Sequence, residues 1–155
     1  MLTSNEAVLH GGPWYRSAQA HDLALFLLRV VAAGMLMQHG AQKLFGLLLA
    51  PDHPFTGMPA LFSKVWIAGV LELVGGLLLA AGLFTRVVAF LLSGELAVAY
   101  FTVHAPRGLF PILNMGELAA LYSFVFLFFA AAGGGRYSLD RLIEGRRRAT
   151  APANR

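Results

Sequence analysis

Four stretches of the chain stay apolar for the length that a membrane crossing requires, at about residues 23–42, 65–85, 87–103 and 115–132. A helix rises about 1.5 Å per residue, so roughly 20 residues cover the ~30 Å of hydrocarbon in a bilayer. All seven prolines fall outside these stretches, as expected of a residue that cannot supply a helical N–H. A water-soluble bundle would carry a polar stripe every turn, and the segment from Gly76 to Phe84 has none. The pattern predicts an all-α bundle of four transmembrane helices over residues 23–134, with an N-terminal segment (1–22) before it and a basic tail (135–155) after it. In the tail, Gly133-Gly-Gly135 ends the last crossing, and Ser138 can cap a short amphipathic interfacial helix from Leu139 to Glu144, stopped by Gly145. A two-residue turn at Thr85-Arg86 makes the second and third crossings antiparallel neighbours.

Composition agrees. Hydrophobic residues are 57% of the chain, and its 17 glycines bring the apolar total to about two thirds, against roughly half in soluble domains. A chain of 155 residues has too little interior to hide that excess from water, so it must face lipid. Cysteine is absent, which removes disulfides, thiolate metal sites and thiol redox chemistry. The first 22 residues hold no apolar core preceded by positive charge, so the first crossing is expected to insert as an uncleaved anchor. With four crossings both termini lie on one side, together with Arg16, Arg86, Arg136, Arg141, Arg146, Arg147, Arg148 and Arg155, against Lys43, Lys64 and Arg107 on the other. The positive-inside rule then places both termini in the cytoplasm, and the arginine cluster reads as a topology determinant at anionic headgroups, not as a nucleic-acid site.

Each crossing contains one formally charged residue: Arg29, Glu72, Glu95 and Glu117. A charge at the bilayer centre costs about 2.5–3.5 kcal/mol on insertion scales, so all four are expected to face the bundle interior. Measured from the outer helix ends, Glu72 lies about 12 Å deep, Glu95 about 13 Å, His39 about 6 Å, Glu117 about 4–5 Å and Arg29 about 21 Å. Side chains lean toward their helix's N-terminus, which tilts His39 and Glu72 toward each other from antiparallel helices. The expected feature is a polar pocket opening outward, floored by Glu72 and Glu95, with His39, His104, Glu117 and Lys43 around it. Several roles stay open. Glu117 follows Asn114 at capping-box spacing. Arg29 either snorkels to the headgroups or pairs with Glu95. His104 is either a pocket member or an interface residue at a helix end. His39 is the expected partner of Glu72, and with three acids and one base in the spans, at least one glutamate must be protonated or share a cation. The echo of Gly94-Glu-Leu-Ala in Gly116-Glu-Leu-Ala puts its two glutamates at different depths, and no Glu-x-x-His accompanies it, so a di-iron centre is not indicated and no metal is expected. A bis-histidine haem on His39 and His104 would sit too near the surface. Nucleotide-loop and serine-nucleophile motifs are absent.

Arg29 with His39-Gly-Ala-Gln-Lys-Leu44, then Gly69-Val-Leu-Glu-Leu-Val-Gly-Gly76, Leu83-Phe-Thr-Arg86 and Gly135-Arg-Tyr-Ser-Leu-Asp-Arg141 resemble the DoxX family over residues 23–143. The resemblance implies a four-helix integral protein of a bacterial or archaeal membrane, and its polar positions fall here on Arg29, His39, Lys43, Glu72, Arg86 and Asp140. It also implies an accessory partner of quinone-linked redox or oxidative-stress enzymes in the bacterial inner membrane. On that reading His39 donates a hydrogen bond to a quinone oxygen, while Glu72 fixes the ring or relays a proton. Whether the chain itself catalyses a step stays open. A small proton-coupled transporter, suggested by the graded depths of Glu72, Glu95 and Arg29, remains an alternative, as does an anchor that holds a soluble redox enzyme through the basic tail. A homo-oligomer remains compatible with each reading.

Overall fold

The computed structural model describes residues 18–49 and 57–150, and every regular element among them is helical. Helix α1 covers Ala18–Phe45, α2 covers Lys64–Ala81 and α3 covers Thr85–Arg107, and these three are long and apolar enough to cross a membrane. A short α4 (Pro111–Asn114) leads into α5 (Glu117–Ala132), a shorter apolar helix of 16 residues that spans about 24 Å. The last helix, α6, covers Leu139–Thr150. It does not stop at Gly145. Glu144 pairs with Arg141 and Arg148, side-chain support one turn back and one turn forward that carries the helix over the glycine.

The helices form two close pairs, α1 with α2 and α3 with α5. Gly40 makes the first pair possible: a Cβ there would sit 2.6 Å from the Leu73 nitrogen and 2.7 Å from the Gly69 oxygen, so the two backbones touch, the close approach that small residues permit in membranes. In the second pair the Ser93 hydroxyl donates to the Ser123 carbonyl at 2.7 Å. Leu36, Leu79, Leu92, Phe126 and Phe129, all at most 1% exposed, fill the space between the pairs.

Polar groups weld the pairs at the arginine-rich end. The guanidinium of Arg29, fully buried, donates to the carbonyls of Leu79 on α2 and Tyr137 before α6, and stands 5.6 Å over the Phe26 ring. Helix α2 ends on Gly82, left-handed at φ 71°, with Leu83 N–H bonded to Leu78 O and Gly82 N–H to Leu79 O. That is the glycine-dependent helix end, and a Cβ on Gly82 would lie 1.7 Å from the Arg29 Nη1. The turn to α3 is therefore Gly82-Leu83-Phe84, and Thr85-Arg86, expected in the turn, forms the first turn of α3. No side chain next to α3 caps it. Asp140 does so from α6, accepting from Phe84 N–H at 2.7 Å and Thr85 N–H at 2.8 Å, while its own N–H donates to Gly82 O at 2.9 Å. Arg86 donates to the carbonyls of Ala130, Ala131 and Ala132, closing the C-terminus of α5.

This end is where substitutions are expected to unfold the protein. Gly82→Ala forces a strained backbone and displaces a buried cation, a combined loss of about 2–4 kcal/mol, whereas Gly34→Ala, whose Cβ meets nothing within 4 Å, should stay within about 0.5 kcal/mol. Thermal unfolding of the purified protein in one detergent reads both. Asp140→Ala, which removes the cap of α3, is expected to cost about 1–2 kcal/mol in the same assay.

Candidate functional site

The weld leaves the opposite end looser. The segment Lys64–Val70 of α2 packs chiefly on α1, and α2 meets α3 from its π-helical turn Leu71–Gly75 onward toward the arginine-rich end. There a Cβ on Gly75 would contact Leu92 at 3.0 Å. Glu72 lies in that turn, on the side where the two pairs begin to diverge. A π turn holds one residue more than an α turn would, and such turns recur at functional sites. A second one, Tyr100–His104, interrupts α3 five residues beyond Glu95.

Three of the charged residues converge at the mouth of this divergence. The ammonium of Lys43 on α1 pairs with Glu72 Oε1. The Glu72 side chain is 3% exposed and that of Lys43 33%, so the lysine stem reaches from the surface down to a buried carboxylate. Glu95 on α3 is half-buried and lies within electrostatic reach of both Glu72 and Lys43. The second oxygens, Glu72 Oε2 and Glu95 Oε2, are buried and have no hydrogen-bond partner. Buried acceptors are almost always satisfied, and two carboxyls against one ammonium leave a deficit of hydrogen-bond donors. Beneath them the closely packed layer of Leu36, Leu79, Leu92, Phe126 and Phe129 separates the cluster from the arginine-rich end.

The other expected members sit elsewhere. His39 is exposed, one turn before Lys43 on the same face of α1, and within electrostatic reach of Glu72. Among the described residues no hydrogen bond joins it to that carboxylate, because Lys43 takes the position expected for the imidazole. The lean toward the helix N-terminus that favours His39 applies to Lys43 too, with a longer stem. Arg29 neither snorkels nor meets Glu95; it belongs to the weld at the far end. Glu117 is exposed in the first turn of α5. Its capping box does not form, since Asn114 Oδ1 accepts from Gly116 N–H at 2.8 Å and its amide donates to Gly108 O at 2.8 Å. His104 joins the same loop between α3 and α5, its Nδ1 3.1 Å from Asn114 O and its ring stacked on Tyr100. Among the described residues no group of three or more His, Asp or Glu has a metal-binding arrangement. A groove of about 890 Å³ does open at the arginine-rich end, beside Arg86, Asp140 and Glu144. Arg86 and Asp140 in its wall are spent on helix ends and Glu144 on neighbouring arginines, so that part of the groove is the surface of the weld.

Residues 24–105 match the family model of DoxX, a stretch that contains Arg29, Lys43, Glu72, Glu95 and Arg86. An uncharacterized protein of Haemophilus influenzae is 46% identical over 121 residues, which cover 75% of this chain and 87% of the relative. No solved structure matches. With helices of membrane-crossing length and a family match over more than half its residues, the chain belongs to the DoxX family of membrane proteins.

Proposed function

We propose that this protein is an accessory subunit of a quinone-linked redox system in a bacterial inner membrane, and that it holds the reduced, dihydroxy form of the ring at the Lys43–Glu72–Glu95 cluster. The observation that carries the reading is the pair of buried, unpartnered carboxylate oxygens, one on each of two helices, beside a lysine. Ionised carboxylate oxygens only accept hydrogen bonds, so the fitting ligand brings donors, and a quinol has two hydroxyls. The chain's part is to bind and orient. Glu72 and Glu95 accept from the ligand hydroxyls and are placed to take up their protons, and Lys43 holds the negative charge in place. The buried apolar layer below supports binding from one side over passage of a solute through the bundle. The excess of arginine at the welded end supports a cytoplasmic location for that end, with the cluster toward the outer half of the membrane.

Anaerobic titration of the full chain in lipid nanodiscs with a decyl-tailed benzoquinol and with its dimethyl ether separates donor recognition from ring packing. The quinol is expected to bind about tenfold or more tightly than the ether, as for a hydrogen bond to a charged group, and Glu95→Gln should erase most of that difference. Equal affinity for quinol and ether, or an unchanged difference in Glu95→Gln, would remove the reading.

A further inference from the structure

The ligand-binding reading above leaves open how a molecule reaches the cluster and what kind of molecule it is. Three of the four seams between neighbouring helices are closed. Gly40 brings α1 onto the α2 backbone, Ser93 is bonded to Ser123 across α3 and α5, and Gly75 lies against Leu92 between α2 and α3. The remaining seam, α1 against α5, differs in kind. The two backbones approach less closely than in the other seams; the seam is filled on the core side by apolar side chains such as Leu36 and Phe126, and among the described residues the side-chain hydrogen bond across it is the Tyr122 hydroxyl on the Met35 sulfur at 3.2 Å.

That contact is a weak one. A thioether is a poor acceptor, and methionine, unbranched with three rotatable bonds, repacks readily. Tyr122 is held by stacking on Phe126, centroids 5.6 Å apart, and is buried, whereas Met35 is 43% exposed. One turn farther along α1 from Met35, His39 is exposed, and one turn beyond His39, Lys43 reaches down to Glu72. His39 lies six residues inside the Phe45 end of α1, about 9 Å along the axis. An exposed imidazole at that depth, between lipid and a buried carboxylate pair, marks a path with an apolar start and a polar end.

We propose that the ligand is a bilayer-dissolved amphiphile that enters between α1 and α5, its polar ring passing His39 to reach Glu72 and Glu95 and its apolar chain leaving across Met35 and Tyr122. The seam selects for a tail. Met35 is the movable side of the opening and Tyr122 the fixed side, and the Tyr122 hydroxyl exchanges its thioether for a better acceptor on the ligand.

The chain has no cysteine, so Met35→Cys/Tyr122→Cys places one reactive thiol on each side of the seam, and a short bismaleimide closes it. Comparing this protein before and after linkage removes folding defects from the comparison. The decyl-tailed benzoquinol is expected to lose about tenfold or more in affinity on linkage, and a tailless benzoquinol, free to enter from the open end of the bundle, less than about twofold. Unchanged binding of the tailed ligand overturns lateral entry, as does an equal loss for both ligands. Linkage of two chains to each other in place of the two helices of one chain would make the seam an interface between copies and also overturn it. If the tailed quinol fails to bind the unsubstituted protein, the quinol-binding function falls first and this route with it; failure confined to the unlinked double-cysteine protein, or loss of the route alone, leaves that function standing, and the former overturns the route by showing that the seam cannot be tested as an entrance separate from the site.

Discussion

A guanidinium held wholly out of solvent, as that of Arg29 is, loses its hydration and must recover the energy from fixed partners, and breaking a buried ionic arrangement commonly costs about 3–5 kcal/mol. Its partners here are backbone carbonyls at the end of α2 and just before α6. Those carbonyls face it only because α2 ends on a left-handed glycine and because the chain after α5 folds back over that end. Asp140 completes the arrangement by capping α3 across 55 residues of sequence. Arg29 and Asp140 together thus tie the end of α2 to the starts of α3 and α6.

A bundle fastened at one end by backbone-directed hydrogen bonds is free to differ at the other. There the two helix pairs separate beyond the π turn of α2, and the interior is no longer filled by leucine and phenylalanine alone. Glu72 and Glu95 occupy that place with one lysine between them. In a hydrocarbon surrounding, unpartnered acceptors are a standing cost, which is why the proposed ligand is one that supplies donors. The proposed division of labour follows from this: stability resides in the arginine end, and the proposed binding site lies where the two helix pairs separate.

The two ends also differ in how their charges are used. At the welded end Arg29, Arg86 and Asp140 each bond backbone groups, so they act as structural parts although they look catalytic in a residue list. In the cluster Lys43 meets Glu72 side chain to side chain, and one buried oxygen of Glu72 and one of Glu95 have no partner.

Much of this was legible in the residues alone. The four apolar stretches, the all-helical bundle, the single charge in each crossing and the DoxX-like motifs follow from the sequence, because lipid as a solvent acts on each residue's polarity and on the length of each run, both of which are local. The partners of those charges were not legible. Lys43 in place of His39 beside Glu72, Arg29 on the Leu79 carbonyl and Asp140 at the head of α3 depend on which helices are neighbours and on how each is rotated about its axis. Gly40 sets one of those rotations through a backbone contact, and the π turn at Leu71–Gly75 shifts another by about one residue, near 100°, an offset that a regular helical wheel does not contain. Polarity along the chain set the expectation that each apolar stretch carries one charge into the bundle; the rotations that only packing decides determined which of these hold the bundle together and which keep a buried, unpartnered carboxylate oxygen.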